Sequence, residues 1–299
     1  MPDIITIRNF SKSFGQKKVI KDLSFEVKSG EIFAFLGANG SGKTTTLRTL
    51  LGIYEPDQGE LLINGKEYDP GMSSILGYLP EERGLYVNSP VLETLVYFAQ
   101  LKGVERSEAT KRALEFLENV ELADKAKVNI SKLSSGQQQK IQLGITIINR
   151  PRLLILDEPT KGLDPVNREI FLKMFLDLNK QGSTIIFSTH QMEETEKIAD
   201  RMLMIKNGKK VLYGDVDKVK RSFGENIIHL NFKGKLPENQ KLYDAKVENN
   251  YASITPKDKV EPEEILKYLI KEDLTIIKYE IASPSLNEIF IKVSGDSKY

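Results

Sequence analysis

The chain has 299 residues, 40% hydrophobic and 28% charged, with 43 Lys and Arg against 42 Asp and Glu for a formal net charge of +1. That length predicts two units, the hydrophobic share is that of a globular chain with a real core, and the even charge gives no pull toward nucleic acid, which is not expected as a partner. With no cysteine, disulfides, thiolate metal sites and a cysteine nucleophile are excluded, and a reducing compartment is the expected setting.

The first six residues carry neither the basic region nor the apolar core of a secretory leader, so none is expected. No window reaches the ~18 uninterrupted apolar residues of a membrane span, so a task at a membrane would need another chain to do the crossing. Taken in order, alternating apolar residues at Ile5 and Ile7, and again at Leu23, Phe25 and Val27, predict strands. Ser29-Gly30 marks a turn. Residues 32–36 form a continuous apolar run ending at Gly37, the pattern of a strand buried on both faces, and 44–51 reads as a helix. Asn64-Gly65 predicts the turn of a hairpin, followed by a strand over about 75–79. From 91 to about 128, Leu, Glu, Lys and Ala at helical spacing predict helices, and another helix follows over 135–148. Apolar strands recur at 153–156 and 184–188. Strands alternating with helices predict a largely parallel, helix-covered sheet of the α/β class.

The composition changes near 221–225. Beyond it the pattern predicts a hairpin turn at Asn249-Asn250, a helix opened by Pro262 and running to 271, a strand over 276–281 and a last helix over 286–293. The predicted organisation is a first domain over 1–222, with a helical subdomain at about 85–148, and a small α+β domain over 226–299. His229 lies on an apolar–polar strand and reads as structural.

Two segments carry chemistry. Gly37-Ala38-Asn39-Gly40-Ser41-Gly42-Lys43-Thr44 fills every fixed position of G-x-x-x-x-G-K-[ST] between a predicted strand and a predicted helix. Its glycines let backbone N–H groups turn inward on phosphate oxygens, and the helix N-terminus adds about half a positive charge. Lys43 can reach the outer phosphates, and the Thr44 hydroxyl suits Mg²⁺, which takes few protein oxygens. Residues 153–156 then run into Asp157-Glu158, placing two carboxylates at the C-terminal end of a strand, where ligands sit in such sheets. Asp157 suits the metal, and Glu158 suits a general base that orients water.

Leu133-Ser134-Ser135-Gly136-Gln137 stands between these segments and resembles the LSGGQ signature of the ATP-binding-cassette (ABC) ATPases. The order of phosphate loop, signature, acidic strand, Gly162-Leu163-Asp164 and His190 is also similar to theirs, over about residues 3–220. The resemblance implies the P-loop fold of an ABC nucleotide-binding domain with its helical subdomain, ATP and Mg²⁺ as ligands, and ATP hydrolysis. It implies roles residue by residue. Phe14 would stack on adenine beside Val19, although the sequence alone leaves Phe14 open to a place in the core. Residues 37–44 with Thr45 would hold the phosphates. Glu81, Thr44 and Asp157 would attend the metal, Glu158 would be the catalytic carboxylate, and His190 the switch histidine. Ser134, Ser135, Gly136 and Gln137 would close on the nucleotide of a second subunit, with Asp164 at the seam, where it would also cap the helix opened by Pro165. Two positions depart from the family: Ser135 stands for a glycine, and Glu81 for a glutamine.

The physical need for two copies can be stated separately. The phosphate loop covers one side of an anionic γ-phosphate, and a second helix N-terminus would cover the other, so two chains head to tail would make two sites. Three readings are open: the ATPase subunit of a transporter, an ABC ATPase serving an assembly away from membranes, and a nucleotide-dependent scaffold. Residues 78–86 and 283–290 resemble the exporter branch found in drug-resistance and sodium-efflux systems, which implies a separate membrane permease and a place on the cytoplasmic face of the cell membrane. Leu85, Tyr86, Val87 and Val91 either line a groove for a permease helix or pack within the helical subdomain. The small domain either pairs or regulates, or braces the first.

Overall fold

The computed structural model describes residues 2–82, 84, 88–223, 227–257 and 259–294. Arg83, Leu85, Tyr86 and Val87 lie outside them, and so does the groove that the last three were expected to line. The chain divides into two compact units, Met1–Gly214 and Asp215–Tyr299.

The first unit opens with β1 (Asp3–Phe14) and β2 (Lys17–Lys28), which pair antiparallel. Next come β3 (Ile32–Leu36), α1 (Lys43–Leu50), β4 (Gln58–Ile63) and β5 (Leu76–Leu79). The helical segment holds α2 (Val91–Leu101), α3 (Arg106–Asn119) and α4 (Ser135–Ile147). Then follow β6 (Leu153–Asp157), α5 (Pro165–Lys180), β7 (Thr184–Thr189), α6 (Met192–Ile198), β8 (Arg201–Lys206) and β9 (Lys209–Asp215).

These strands form two sheets. An antiparallel one runs β2-β1-β4, and a six-stranded one runs β5-β6-β7-β3-β8-β9. The neighbours from β5 to β8 are parallel. β3, β6 and β7 are buried along their whole length. That is why they read as unbroken apolar runs: a strand covered on both faces has no side to turn to water. Phe33, Phe35, Leu153, Ile155 and Ile186 join Leu47 and Leu50 of α1 and the antiparallel sheet in one core. Each such side chain contributes about 1.5–3 kcal/mol by leaving water.

One expectation is corrected. Asn64 and Gly65 do make a tight turn, with φ of 51° and 74°. Only a single bridge, Ile63 to Lys66, crosses it, and no second arm follows. β4 pairs with β1 instead, from Ile5–Ile63 to Arg8–Glu60. The turn motif is local, while the partner is chosen by which strand offers a buried face. Val91 is fully buried, so it packs inside the helical segment.

The second unit begins with α7 (Val216–Ser222) and continues with β10 (Ile227–Lys233), β11 (Tyr243–Glu248), β12 (Tyr251–Pro256), α8 (Pro262–Lys271), β13 (Thr275–Ala282) and α9 (Leu286–Ser294). Its sheet runs β11-β12-β10-β13, antiparallel throughout. Glu248 faces Tyr251 across Asn249-Asn250, the two-residue hairpin turn read from the sequence. Ile228, Leu230, Phe232, Ile254, Ile265 and Leu269 form its core. His229 contacts Tyr251, with Nδ1 2.6 Å from the phenol oxygen and the rings stacked.

Candidate functional site

The topology brings the singled-out residues to one place. β7 lies between β3 and β6, with Leu36 opposite Thr189 and Asp157 opposite Ser188. Gly37, His190 and Glu158, each the next residue along its strand, therefore leave the sheet at one level.

The loop after β3 is built to take an anion. α1 starts at Gly42 with no side-chain cap and no acidic residue in its first turn. By contrast α3, α4, α5 and α7 begin under Glu105, Ser134, Asp164 and Asp215, whose side chains accept from first-turn amides. An uncapped N-terminus keeps its donors and its positive dipole end for a ligand. The glycines are needed for shape. A Cβ on Gly37 would lie 2.5 Å from Ser41 Oγ and 2.6 Å from Ile205 O, and one on Gly42 would lie 2.2 Å from Ile20 Cδ1. Gly40 takes φ of 75°, where an L side chain is strained. Ala38 and Asn39 carry the exposed crest of the loop, and Thr45 follows Thr44 half-buried into the helix.

Behind the loop sits a chain of buried charge. Lys43 Nζ donates 2.8 Å to Gly37 O and lies 3.2 Å from Glu158 Oε1, with both side chains 5% exposed. His190 Nδ1 lies 2.9 Å from Glu158 Oε2. Glu158 has φ of 49°, unusual for a glutamate, and its amide donates 3.0 Å to Ser188 Oγ. Ser188 Oγ in turn donates 2.5 Å to Asp157 Oδ1. Burial pushes the Asp157 carboxyl above the ordinary aspartate range; the Ser188 and Thr44 hydroxyls oppose this, and the Glu81 and Glu158 carboxylates add to it. Asp157 Oδ2 and Ser41 Oγ are buried with no hydrogen-bond partner. Orphaned oxygens in a native core call for a ligand. An oxygen donor beside a phosphate cradle fits Mg²⁺ carried by a triphosphate.

Some contributors escaped the sequence reading. Lys161 Nζ lies 2.6 Å from Glu81 Oε1 and holds that carboxylate beside Asp157. Glu194, 2% exposed, accepts from Thr160 (2.7 Å) and Thr189 (3.2 Å), tying the loop after β6 to the one before His190. Its carboxyl is raised by burial, against the hydroxyls of Thr160 and Thr189 and the nearby Arg168 cation. Gln142 of α4 donates to Pro80 O (3.4 Å) and Glu82 O (3.0 Å), so the signature helix grips the loop that carries Glu81. Ser188 was visible as the start of Ser-Thr-His; the others have no local motif.

Two groups lie apart from this cluster. Phe14 is 44% exposed, outside the core, edge-on to Tyr54 at 5.2 Å, while Val19 packs on the core nearby in the chain. The signature residues open α4 in a capping box: the Gln137 amide donates to Ser134 Oγ, and the Ser134 amide donates to Gln137 Oε1 at 2.9 Å. Ser134 and Ser135 are exposed and Gly136 is half-buried. Ser135 is not among the residues of positive φ, so its Cβ is tolerated by the backbone. Asp164 caps α5, accepting 3.0 Å from the Asn167 amide.

Comparison with known proteins agrees with this geometry. A family model described as ABC transporter matches residues 20–161, and one for the C-terminal domain of DrrA1-3-like ATP-binding proteins matches 214–294. The ABC transporter ATP-binding protein YhaQ of Bacillus subtilis (strain 168) is 36% identical over 98% of this chain and 99% of its own. The linearmycin resistance ATP-binding protein LnrL of the same organism is 36% identical over 77% of this chain and 76% of its own. A solved structure of the ATP-binding subunit of an ABC transporter superposes with a TM-score of 0.69 at 29% identity, covering 74% of this chain and 93% of that one. With a phosphate cradle, a buried Asp–Glu pair and a near full-length match in agreement, the chain belongs to the ATP-binding proteins of ABC transporters and is an ATPase.

Proposed function

We propose that two copies of this chain bind MgATP head to tail, each nucleotide held by one chain's phosphate loop and closed over by the other's signature helix, and that hydrolysis drives export through a separate permease from the cytoplasmic face of the membrane. The observation that carries the reading is the uncapped N-terminus of α1 facing Lys43, Asp157, Glu158 and His190. The exposed N-terminus of α4 supports the pairing, since a helix end capped only by its own Ser134 and Gln137 can still offer amides to a partner's γ-phosphate. The resistance role in LnrL's name, and residues 78–86 and 283–290, support export. No helix among the described residues is long and apolar enough to cross a membrane.

Mg²⁺ bound with the triphosphate supplies neutralisation of the phosphate oxygens, and Asp157, Thr44 and Glu81 are the residues to hold it. The chain's own groups do the rest. Phe14, 44% exposed, stacks on the adenine beside Val19. The amides of residues 38–45 cradle the phosphates, and Lys43 leaves Glu158 for the outer phosphate oxygens. That exchange frees Glu158 Oε1 to accept a proton from the attacking water, while His190 Nδ1 holds Oε2. Lys161 offsets the extra negative charge that Glu81 brings where the family has a neutral glutamine.

Glu158→Gln keeps the shape and removes the base. Turnover is expected to fall about 10²–10⁴-fold with ATP still bound. The trapped nucleotide should hold the chain as a dimer in MgATP, seen by sedimentation. A variant that binds ATP tightly and stays monomeric, with no partner chain required, would refute the head-to-tail site.

A further inference from the structure

The second unit's sheet ends on β13, whose inner edge pairs with β10 and whose outer edge has no strand beside it among the described residues. A bare edge of this kind is normally blunted, because its free N–H and C=O groups template the addition of another strand. Along this one, Ile277 is 59% and Ile281 45% exposed. Lys278 and Glu280 lie half exposed or more and are ion-paired with each other at 2.5 Å. The ladder shifts register opposite Asn231 and Phe232, leaving Ile277 without a partner on β10.

Read outward from Tyr279, the strand has the same pattern in both directions: opposite charges one step away, isoleucine two steps away. An antiparallel copy centred on Tyr279 sets Lys278 against the partner's Glu280, and Ile277 against the partner's Ile281, each twice by symmetry. We propose that β13 is a homotypic interface, through which two copies of this chain join their second units into one continuous sheet about a twofold axis at Tyr279. A foreign apolar strand would leave Lys278 and Glu280 facing no charge; a second copy satisfies both.

This pairing needs no nucleotide and no signature loop, so it stands or falls apart from the head-to-tail site. The test is sedimentation of the full chain without nucleotide. The parent chain self-associates. Lys278→Glu and Glu280→Lys each oppose like charges in both cross-strand pairs and weaken the association about tenfold. An equimolar mixture of the two variants restores it, because every 278–280 contact then joins opposite charges. Both positions are well exposed, and thermal unfolding checks that each variant keeps its fold. The proposal is overturned if the nucleotide-free parent is monomeric up to its solubility limit, if the single reversals associate as tightly as the parent, or if the mixture is no tighter than its components.

Discussion

The two units bury polar groups in opposite ways. At the C-terminal edge of the first unit's parallel sheet, Lys43, Asp157, Glu158 and Glu194 are all 5% exposed or less. Ser41 Oγ and Asp157 Oδ2 there have no hydrogen-bond partner, Glu158 Oε1 has only its ion pair with Lys43, and Glu158 is held at positive φ. In the second unit, buried Tyr243 and half-buried Tyr279 pack on the core and each has a carbonyl to donate to: Tyr243 to Pro237 O, and Tyr279 to Pro262 O at 2.5 Å. Positive φ at non-glycine residues there falls at Asn249, Lys259 and Asp273, all in connections between elements. Buried charge and orphaned oxygens collect where a ligand must be gripped.

The widest gap between the units should come from glycines. Gly37→Ala drives a Cβ into Ser41 Oγ and Ile205 O, and is expected to cost about 3 kcal/mol and at least ~100-fold in ATP affinity. Gly234→Ala meets only Leu274 Cδ1 at 4.0 Å and costs about 1 kcal/mol, from φ alone. Equal losses in urea unfolding would break the contrast.

Alkaline pH separates the units next. Burial pushes both Tyr243 and Tyr279 up to about 12 from the ordinary 10.0. A raised phenol stabilises the fold fully below pH 10, and that contribution is lost as pH rises through 12, because only the unfolded chain ionises in between. The loss is up to about 3 kcal/mol per phenol. Tyr243→Phe and Tyr279→Phe should flatten the fall in second-unit unfolding midpoint between pH 9 and 11.

Asp157 follows the same sign in the acid range, where its charged form already exists at neutral pH. Its carboxyl is raised by burial, so the charged form destabilises the first unit at neutral pH, and stability returns as pH falls through the folded value toward the ordinary aspartate range. Asp157→Asn should therefore raise the first unit's stability by about 1 kcal/mol while abolishing hydrolysis. A lower melting temperature would show that Ser188 and Thr44 already compensate the charge.

The smallest effect is expected at Lys161, which is 52% exposed. Lys161→Ala should change stability by less than about 0.5 kcal/mol. With Glu81 left uncompensated, the KM for MgATP should rise several-fold, and Glu81→Gln in the same chain should restore it.

Much of the site could be read from consecutive residues. Residues 37–44, 133–137 and 157–158 each need a fixed local backbone, a strand end or a helix start, so their spacing survives in the sequence. The doubly buried strands β3, β6 and β7 were equally plain, because a strand with no wet face has no polar positions. Nothing local says that Lys161 meets Glu81, 80 residues earlier, or that Gln142 holds the carbonyls of Pro80 and Glu82. The Asn64-Gly65 turn was legible, yet the partner of β4 was not.

What the sequence by itself determined is therefore chemistry and local conformation: the phosphate cradle, the acidic strand end, the capped signature helix and the hairpin at Asn249-Asn250. Only the tertiary structure decided the strand order that stands β7 between β3 and β6, the burial that raises Asp157, and the place of β13 at the end of its sheet among the described residues. Turns and caps are settled within a few residues by hydrogen bonds and allowed φ. Strand neighbours and buried charges are settled by which apolar faces can cover one another across the whole chain.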